Sequence, residues 1–246
     1  MTFNIKKLAK KIQAYLPFAV GKNEVYDRYS KEIILKYCKP DSICIDIGAN
    51  EGKILDWMIV ASPTATHFAF EPIPALFDGL KIKFAKNAII YPIALSDQKT
   101  AASFNWVISN PALSGLLKRP YPTYHKERKI TVSTDLLDNI IEQGLKISLI
   151  KIDVEGGEWQ VLKGAINTIL NNQPIILFES GKLGGDLYGF KSSDIYDLFD
   201  QQLHYQIFTL KDWLKNKKAI SYPAFENYFE TGKEFFFLAA PIDIAI

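Results

Sequence analysis

The chain is 246 residues long, 48% hydrophobic, 23% charged and 13% aromatic, the balance of a globular protein with a substantial core. Its net charge of +2 excludes the clustered cationic excess of an obligate polyanion binder. Cys38 and Cys44 are the two cysteines, which leaves no disulfide framework or cysteine zinc site, and no apolar run reaches bilayer-spanning length.

The first forty residues carry Lys6, Lys7, Lys10, Lys11, Lys22, Arg28, Lys31, Lys36 and Lys39 against Glu24, Asp27 and Glu32. Ile5, Leu8, Ile12 and Leu16 recur at helical spacing between the lysines and predict an amphipathic helix over residues 5–16. A second helix is expected over 26–37. Gln13 and Pro17 interrupt the apolar patch after the lysines, so it does not read as a secretion signal, and the cytoplasm is expected. The basic helix also offers a peripheral contact with an anionic membrane, although a surface helix covering the sheet is the plainer expectation. Nothing in the sequence indicates an oligomeric state.

From residue 43 a rhythm begins. Apolar β-type runs at 43–47, 66–70, 88–93, 147–152 and 174–178 alternate with helical patterns at 52–61, 74–85, 134–141 and 159–170. Strands apolar on both sides and separated by helices predict an α/β fold, a mostly parallel sheet with helices on both faces. Runs at 101–108 and 129–133 read as two extra strands around a loop rich in proline and tyrosine, an insertion over about 101–133. The chain then runs through a strand at 205–210, a long loop and a last strand at 234–240. The expected organisation is a helical extension over 1–40 and one domain over 41–246.

In open α/β sheets ligands bind beyond the carboxyl ends of the strands, so the residues that follow each strand carry the chemistry. After the first comes "DIGANEG", Asp46 to Gly52, where glycines allow a tight turn and backbone can approach a ligand. This is not the full G-x-G-x-x-G of a dinucleotide site, and alone it marks only a strand-to-helix turn. After the second comes Glu71 with Pro72, an acid placed to accept from both ribose hydroxyls of a nucleoside. After the third comes "ALSD", whose Ser96 and Asp97 could bracket an adenine. After the fourth comes "KIDVEGGEW", with Lys151, Asp153 and Glu155 on one face of an otherwise apolar strand. Such charges are costly to place together unless they pair or hold a ligand, and for Lys151 both stay open, a strut paired with a neighbouring carboxylate or a part of the ligand site. The fifth strand ends in Glu179 and Ser180.

These elements, with "TVSTDLLDNI" and above all "LIKIDVEGGEWQVLKGA", closely resemble the FkbM-type methyltransferases that use S-adenosylmethionine, over roughly residues 41–180. The resemblance implies a Rossmann-like class I methyltransferase fold, a seven-stranded sheet with its last strand antiparallel. It implies that Asp46, Gly48, Asn50 and Gly52 surround the methionine part of S-adenosylmethionine, Glu71 and Pro72 its ribose, and Ser96 and Asp97 its adenine. Asp153 and Glu155 would lie beneath the sulfonium and the acceptor. The implied reaction is O-methylation of a sugar, glycan or natural-product hydroxyl, with Asp153, Glu155 or Glu179 as base.

Rival readings have their own features. A nicotinamide oxidoreductase fits neither the incomplete glycine fingerprint nor the acidic strand end. Methylation of nucleic acid or protein remains open; the basic, tyrosine-interleaved stretch 117–129 could follow a phosphate backbone, but nucleic acid is not the favoured partner. A catalytically silent binding module would have little use for so many site-facing acids. His125, in that same stretch, is a minor candidate for the base, and His67 and His204 read as structural. No metal is expected, because the Asp-Asn pair of catechol-type enzymes is absent from the fifth strand.

Overall fold

The structure, a computed structural model, describes residues 20–243. Helix α1 (Val20–Tyr37) leads into β1 (Ile43–Ile47), α2 (Lys53–Ala61), β2 (His67–Phe70), α3 (Pro74–Lys83) and β3 (Ala88–Tyr91). After an excursion, β7 (Ile147–Ile152), helices α5 (Glu158–Lys163) and α6 (Ile166–Asn172), and β8 (Ile175–Glu179) continue the alternation. The main sheet has seven strands in the order β3-β2-β1-β7-β8-β10-β9, where β9 is Tyr205–Thr209 and β10 is Phe236–Pro241. Its neighbours pair in parallel, except that β10 runs antiparallel to both β8 and β9. This is the expected α/β sheet with an antiparallel last strand.

Period-two alternation sends each strand's side chains to two separate cores. Ile45, Ile47, Ile150, Ile152, Ile176 and Phe178 enter one core, beneath α5, α6 and the carboxyl-terminal helices. Cys44, Leu149, Leu177 and Leu238 enter the other, packed by Ile33 and Ile34 of α1, Leu55 and Met58 of α2 and Leu80 of α3. Asp46, Lys151, Asp153 and Glu179 share that second parity. The charged strand ends therefore face the side that α1 and α2 cover.

The expected strand over 88–93 is two strands, because Pro92 supplies no backbone N–H to continue the ladder. β3 stays in the main sheet, while β4 (Ile93–Leu95) joins β6 (Glu127–Asp135) and β5 (Thr100–Val107) in a separate three-stranded sheet, order β4-β6-β5. The helical pattern over 134–141 is mostly overruled: β6 runs to Asp135 and only α4 (Leu137–Ile140) is helical. The pattern over 159–170 is broken into α5 and α6 at Gly164, where a Cβ would sit 2.1 Å from the Ser96 carbonyl oxygen. The helix expected over 26–37 starts six residues earlier, at Val20. The long loop after β9 holds α9 (Leu210–Leu214), capped by the Thr209 hydroxyl, and α10 (Tyr222–Thr231), with α7 (Lys182–Tyr188) and α8 (Ser192–Asp197) preceding β9. The helix expected over 5–16 lies outside the described residues.

Candidate active site

Gly48 turns the chain out of β1 with a φ of +76°, in the left-handed region that glycine tolerates. A Cβ there would lie 2.0 Å from the Asp153 carbonyl oxygen, so the β1 and β7 ends can approach this closely only over glycine. Asn50 is also left-handed at +49°, and its backbone N–H donates to Glu71 Oε2 at 2.9 Å. Glu71 Oε1 accepts from the Ile73 N–H at 2.8 Å, so this 4%-exposed carboxylate ties the first two strand-end loops together. Burial raises its pKa, and the two amides and Lys151 work against that rise. Asn50 Oδ1 is buried and has no hydrogen-bond partner.

A cavity opens between these loops and the small sheet. Gly48, Asn50, Glu71 and Pro72 line one side, and Ile93, Leu95 and Phe104 give an apolar slot. Asp153 and Glu155 stand at its inner end, with Tyr188 of α7 beside them. A second chamber of about 1090 Å³ shares Asn50, Ala112, Asp153 and Glu155 with the first. It runs on to Lys151, Glu179 and Arg119, with Asn23, Tyr26 and Ser30 of α1 as a wall.

Other expected positions lie elsewhere. Asp46 is 0% exposed and lines neither chamber: it is beneath the glycine loop, with Oδ1 3.3 Å from Lys151 Nζ. Gly52 has a φ of +77° and lies against Leu80 and Phe84, where a Cβ would meet Phe84 at 2.5 Å, so it serves the packing of α2 on α3. Ser96 and Asp97 do not line the first chamber either. The Ser96 hydroxyl bonds Asp97, whose other oxygen pairs with Lys163 of α5; the preceding strand residues Ile93–Leu95 form that wall.

Lys151 acts as a strut. Its ammonium donates to the Gly48 carbonyl at 2.8 Å and the Ile47 carbonyl at 3.3 Å, and lies 3.8 Å from Asp153 Oδ2. Desolvation opposes its charge, but Asp46 and then Asp153 outweigh that and keep it protonated. Asp153, Glu158 and Glu179 each bring a carboxylate oxygen within 4.8 Å of the others. Glu158 Oε1 is occupied by the Val154 and Gly156 amides. Glu179 bonds Asp153, and burial, then the charges of Asp153 and Glu158, push its pKa well above the carboxylate range.

Arg119 is the residue that sequence reasoning missed. Only 8% exposed, it descends from the loop between β5 and β6 and pairs with Glu155, whose φ of +62° is costly for a side-chain-bearing residue. Tyr188 accepts the Leu117 N–H at 3.1 Å and holds the same loop across the chambers. Nearby, Lys118 pairs with Glu127 and Arg128 of β6 lies over Trp106. His125 contacts Ser109 on the exposed part of the loop and lines neither chamber.

Residues 46–207 match the family model described as the methyltransferase FkbM domain. The chain belongs to the FkbM family. Among its relatives are the hexuronic acid methyltransferase AglP of Haloferax volcanii, 29% identical over 56% of this chain and 55% of that protein. The 2-O-methyltransferase NoeI of Sinorhizobium fredii is 28% identical over 56% of this chain and 63% of that protein. The chain thus spans little more than half the length of these relatives. The FkbM methyltransferase structure from Methylobacillus flagellatus KT superposes with a TM-score of 0.50 and 18% identity, covering 82% of this chain and 44% of that one. Helix α1 and strand β10, which bring wall residues to the second chamber, lie outside the matched FkbM segment.

Proposed function

We propose that this protein is an S-adenosylmethionine-dependent methyltransferase acting on a hydroxyl of a sugar, glycan or related natural product. The observation that carries the reading is a pair of adjoining cavities with shared lining: the first holds a nucleoside-competent carboxylate, Glu71, the second Glu179, and Asp153 lines both. Family membership and two relatives named for acting on a hexuronic acid and as a 2-O-methyltransferase support the same chemistry.

The lining suits the cofactor. Asn50 offers a buried, unpartnered amide oxygen beside Gly48 for the amino-acid portion. Glu71 keeps lone pairs free for ribose hydroxyls, and Ile93, Leu95 and Phe104 suit a flat base. Bound there, the cofactor supplies a methyl group already activated on a sulfonium. The protein then has to align the acceptor, exclude water and take a proton. Asp153 lines both chambers and is the group placed to take the acceptor's hydroxyl proton. Lys151 fixes Asp153 against the Gly48 carbonyl, and Arg119 holds Glu155 and the roof loop.

Two substitutions test this. Calorimetry should show Glu71→Ala weakening S-adenosylhomocysteine binding by ~1–3 kcal/mol, the range for unpaired polar groups. Asp153→Asn should keep cofactor affinity while turnover drops by roughly 10²–10⁴-fold, the usual contribution of a positioned base. A wild-type protein that binds neither S-adenosylmethionine nor S-adenosylhomocysteine would sink the proposal, and full turnover in Asp153→Asn would remove that residue as the base.

A further inference from the structure

The second chamber has a chemistry that narrows the acceptor. Its described lining holds two cations, and both are engaged by the protein itself. Lys151 is bound to two backbone carbonyls and flanked by Asp46 and Asp153, and Arg119 is paired with Glu155. The polar groups that remain are carboxyl oxygens of Asp153 and Glu179, the amides of Asn23, Asn50 and Asn110 and the hydroxyl of Ser30, while Asp27 is paired with Lys53. Carboxylates and amide oxygens receive hydroxyl hydrogens well, and the carboxylate charge repels anions.

Part of the same lining is aromatic. Tyr26 packs edge-on to Phe235 with ring centroids 4.8 Å apart, and Phe236 lies 6.0 Å from Tyr26. Lys22 donates to the Lys233 carbonyl and the Tyr26 hydroxyl to Glu234 Oε2 at 2.5 Å, so α1 holds these rings against the segment that enters β10. Aromatic rings and hydrogen-bond acceptors in one chamber match a ring with C–H groups on its faces and hydroxyls at its rim. They give no charge-paired seat to a carboxylate or phosphate.

We propose that the second chamber is the acceptor site and takes a neutral, polyhydroxylated ring, discriminating against acceptors that carry a carboxylate or phosphate on that ring. This rests on the methyltransferase reading, and it deepens that reading by fixing the charge of the acceptor. The charges that discriminate sit with the chemistry: a ring anion would have to lie beside Asp153 and Glu155, while the lining cations Lys151 and Arg119 are already engaged by the protein. One set of residues thereby selects the acceptor and takes its proton.

The test uses two probes that differ only at C6, p-nitrophenyl β-glucopyranoside and p-nitrophenyl β-glucuronide. Saturation-transfer NMR is run on the full chain saturated with S-adenosylhomocysteine, whose binding is measured separately by calorimetry. The neutral glycoside is expected to bind at least ten-fold more tightly than the glucuronide. Phe235→Ala is expected to weaken the neutral glycoside about ten-fold while leaving S-adenosylhomocysteine affinity within two-fold. Equal or tighter glucuronide binding overturns the charge selectivity. Binding of neither glycoside to cofactor-loaded protein, or indifference to Phe235→Ala, overturns the chamber assignment and leaves the cofactor reading intact. Failure to bind S-adenosylhomocysteine at all removes both.

Discussion

Lys151 and Asp46 face one another across adjacent parallel strands, one register step from the ends of β7 and β1. Their neighbours Cys44 and Leu149 belong to the core, and the pair is buried, Asp46 completely. A buried ion pair of this kind is costly to break by halves, because the partner left behind is an uncompensated charge. Lys151→Met should therefore lower the free energy of unfolding by ~3–5 kcal/mol. The double substitution Asp46→Asn/Lys151→Met should recover part of that loss in urea titrations. Additive losses would mean that the two residues do not act as a pair. Glu158 makes a different prediction. Burial pushes its pKa up from 4.5 to about 7, against the pull of the loop amides it accepts. The folded state thus holds a proton that the unfolded chain releases at lower pH. Its contribution to stability is complete below pH 4.5 and is lost as pH rises through about 7. Glu158→Gln keeps an oxygen for the Val154 and Gly156 amides and removes the titration. Glu179 also titrates close by, so the comparison between the two proteins is the readout. The variant should gain on wild type between pH 4.5 and 7 by of order 1–3 kcal/mol, and parallel stability curves would contradict it.

At the scale of elements, the break between α5 and α6 has a single physical cause. Gly164 is at φ −80°, which any residue adopts, so its need for glycine is one of space: the Ser96 carbonyl occupies the place of a Cβ. The α6 start is then capped from outside, by Asp138 of α4 accepting the Asn167 and Thr168 amides at 2.9 and 2.7 Å. Gly164→Ala should cost ~1–3 kcal/mol, as overpacking generally does, and a thermal midpoint equal to wild type would show that the Ser96 loop yields freely. Such tertiary causes mark the limit of what the sequence made legible. Strand positions and the acids at their ends could be read because alternation and apolar runs are local. The α5–α6 break, the division at Pro92 between two sheets and the helices after β9 depend on what each segment meets in space. Arg119 was hidden for the same reason. Within "LKRPYPTYHKERK" it looks like its solvated neighbours, and only the path of the loop carries it to Glu155. Asp46 and Gly52 show the converse: residues in a ligand-like motif whose own contacts are with the core.

For the whole molecule the question is whether α1 is an appendage or part of the folding unit. Ile33 and Ile34 are fully buried and belong to the same core as Leu149, Leu177 and Leu238 of the sheet. Lys53, which follows the glycine loop, pairs with Asp27 of α1 at 2.6 Å, and Tyr26 reaches Glu234 ahead of β10. Burying two isoleucine side chains contributes roughly 3–6 kcal/mol, a large part of the stability of an ordinary domain. If α1 detached, that core would open along with the wall of the second chamber. Helix and sheet should therefore unfold together. Native-state hydrogen exchange should show the amides around Ile33 and Ile34 opening with nearly the same free energy and denaturant dependence as those of β1, β7 and β8. The roof loop, largely exposed although held by Arg119–Glu155, the Leu117–Tyr188 bond and backbone bonds such as Gly115 to Asn105, should exchange at lower free energy. Exchange of α1 at that lower level would make residues 1–40 an extension that docks on a finished domain. In that case the acceptor chamber would form only when the helix is seated, and glycoside binding would carry the docking cost.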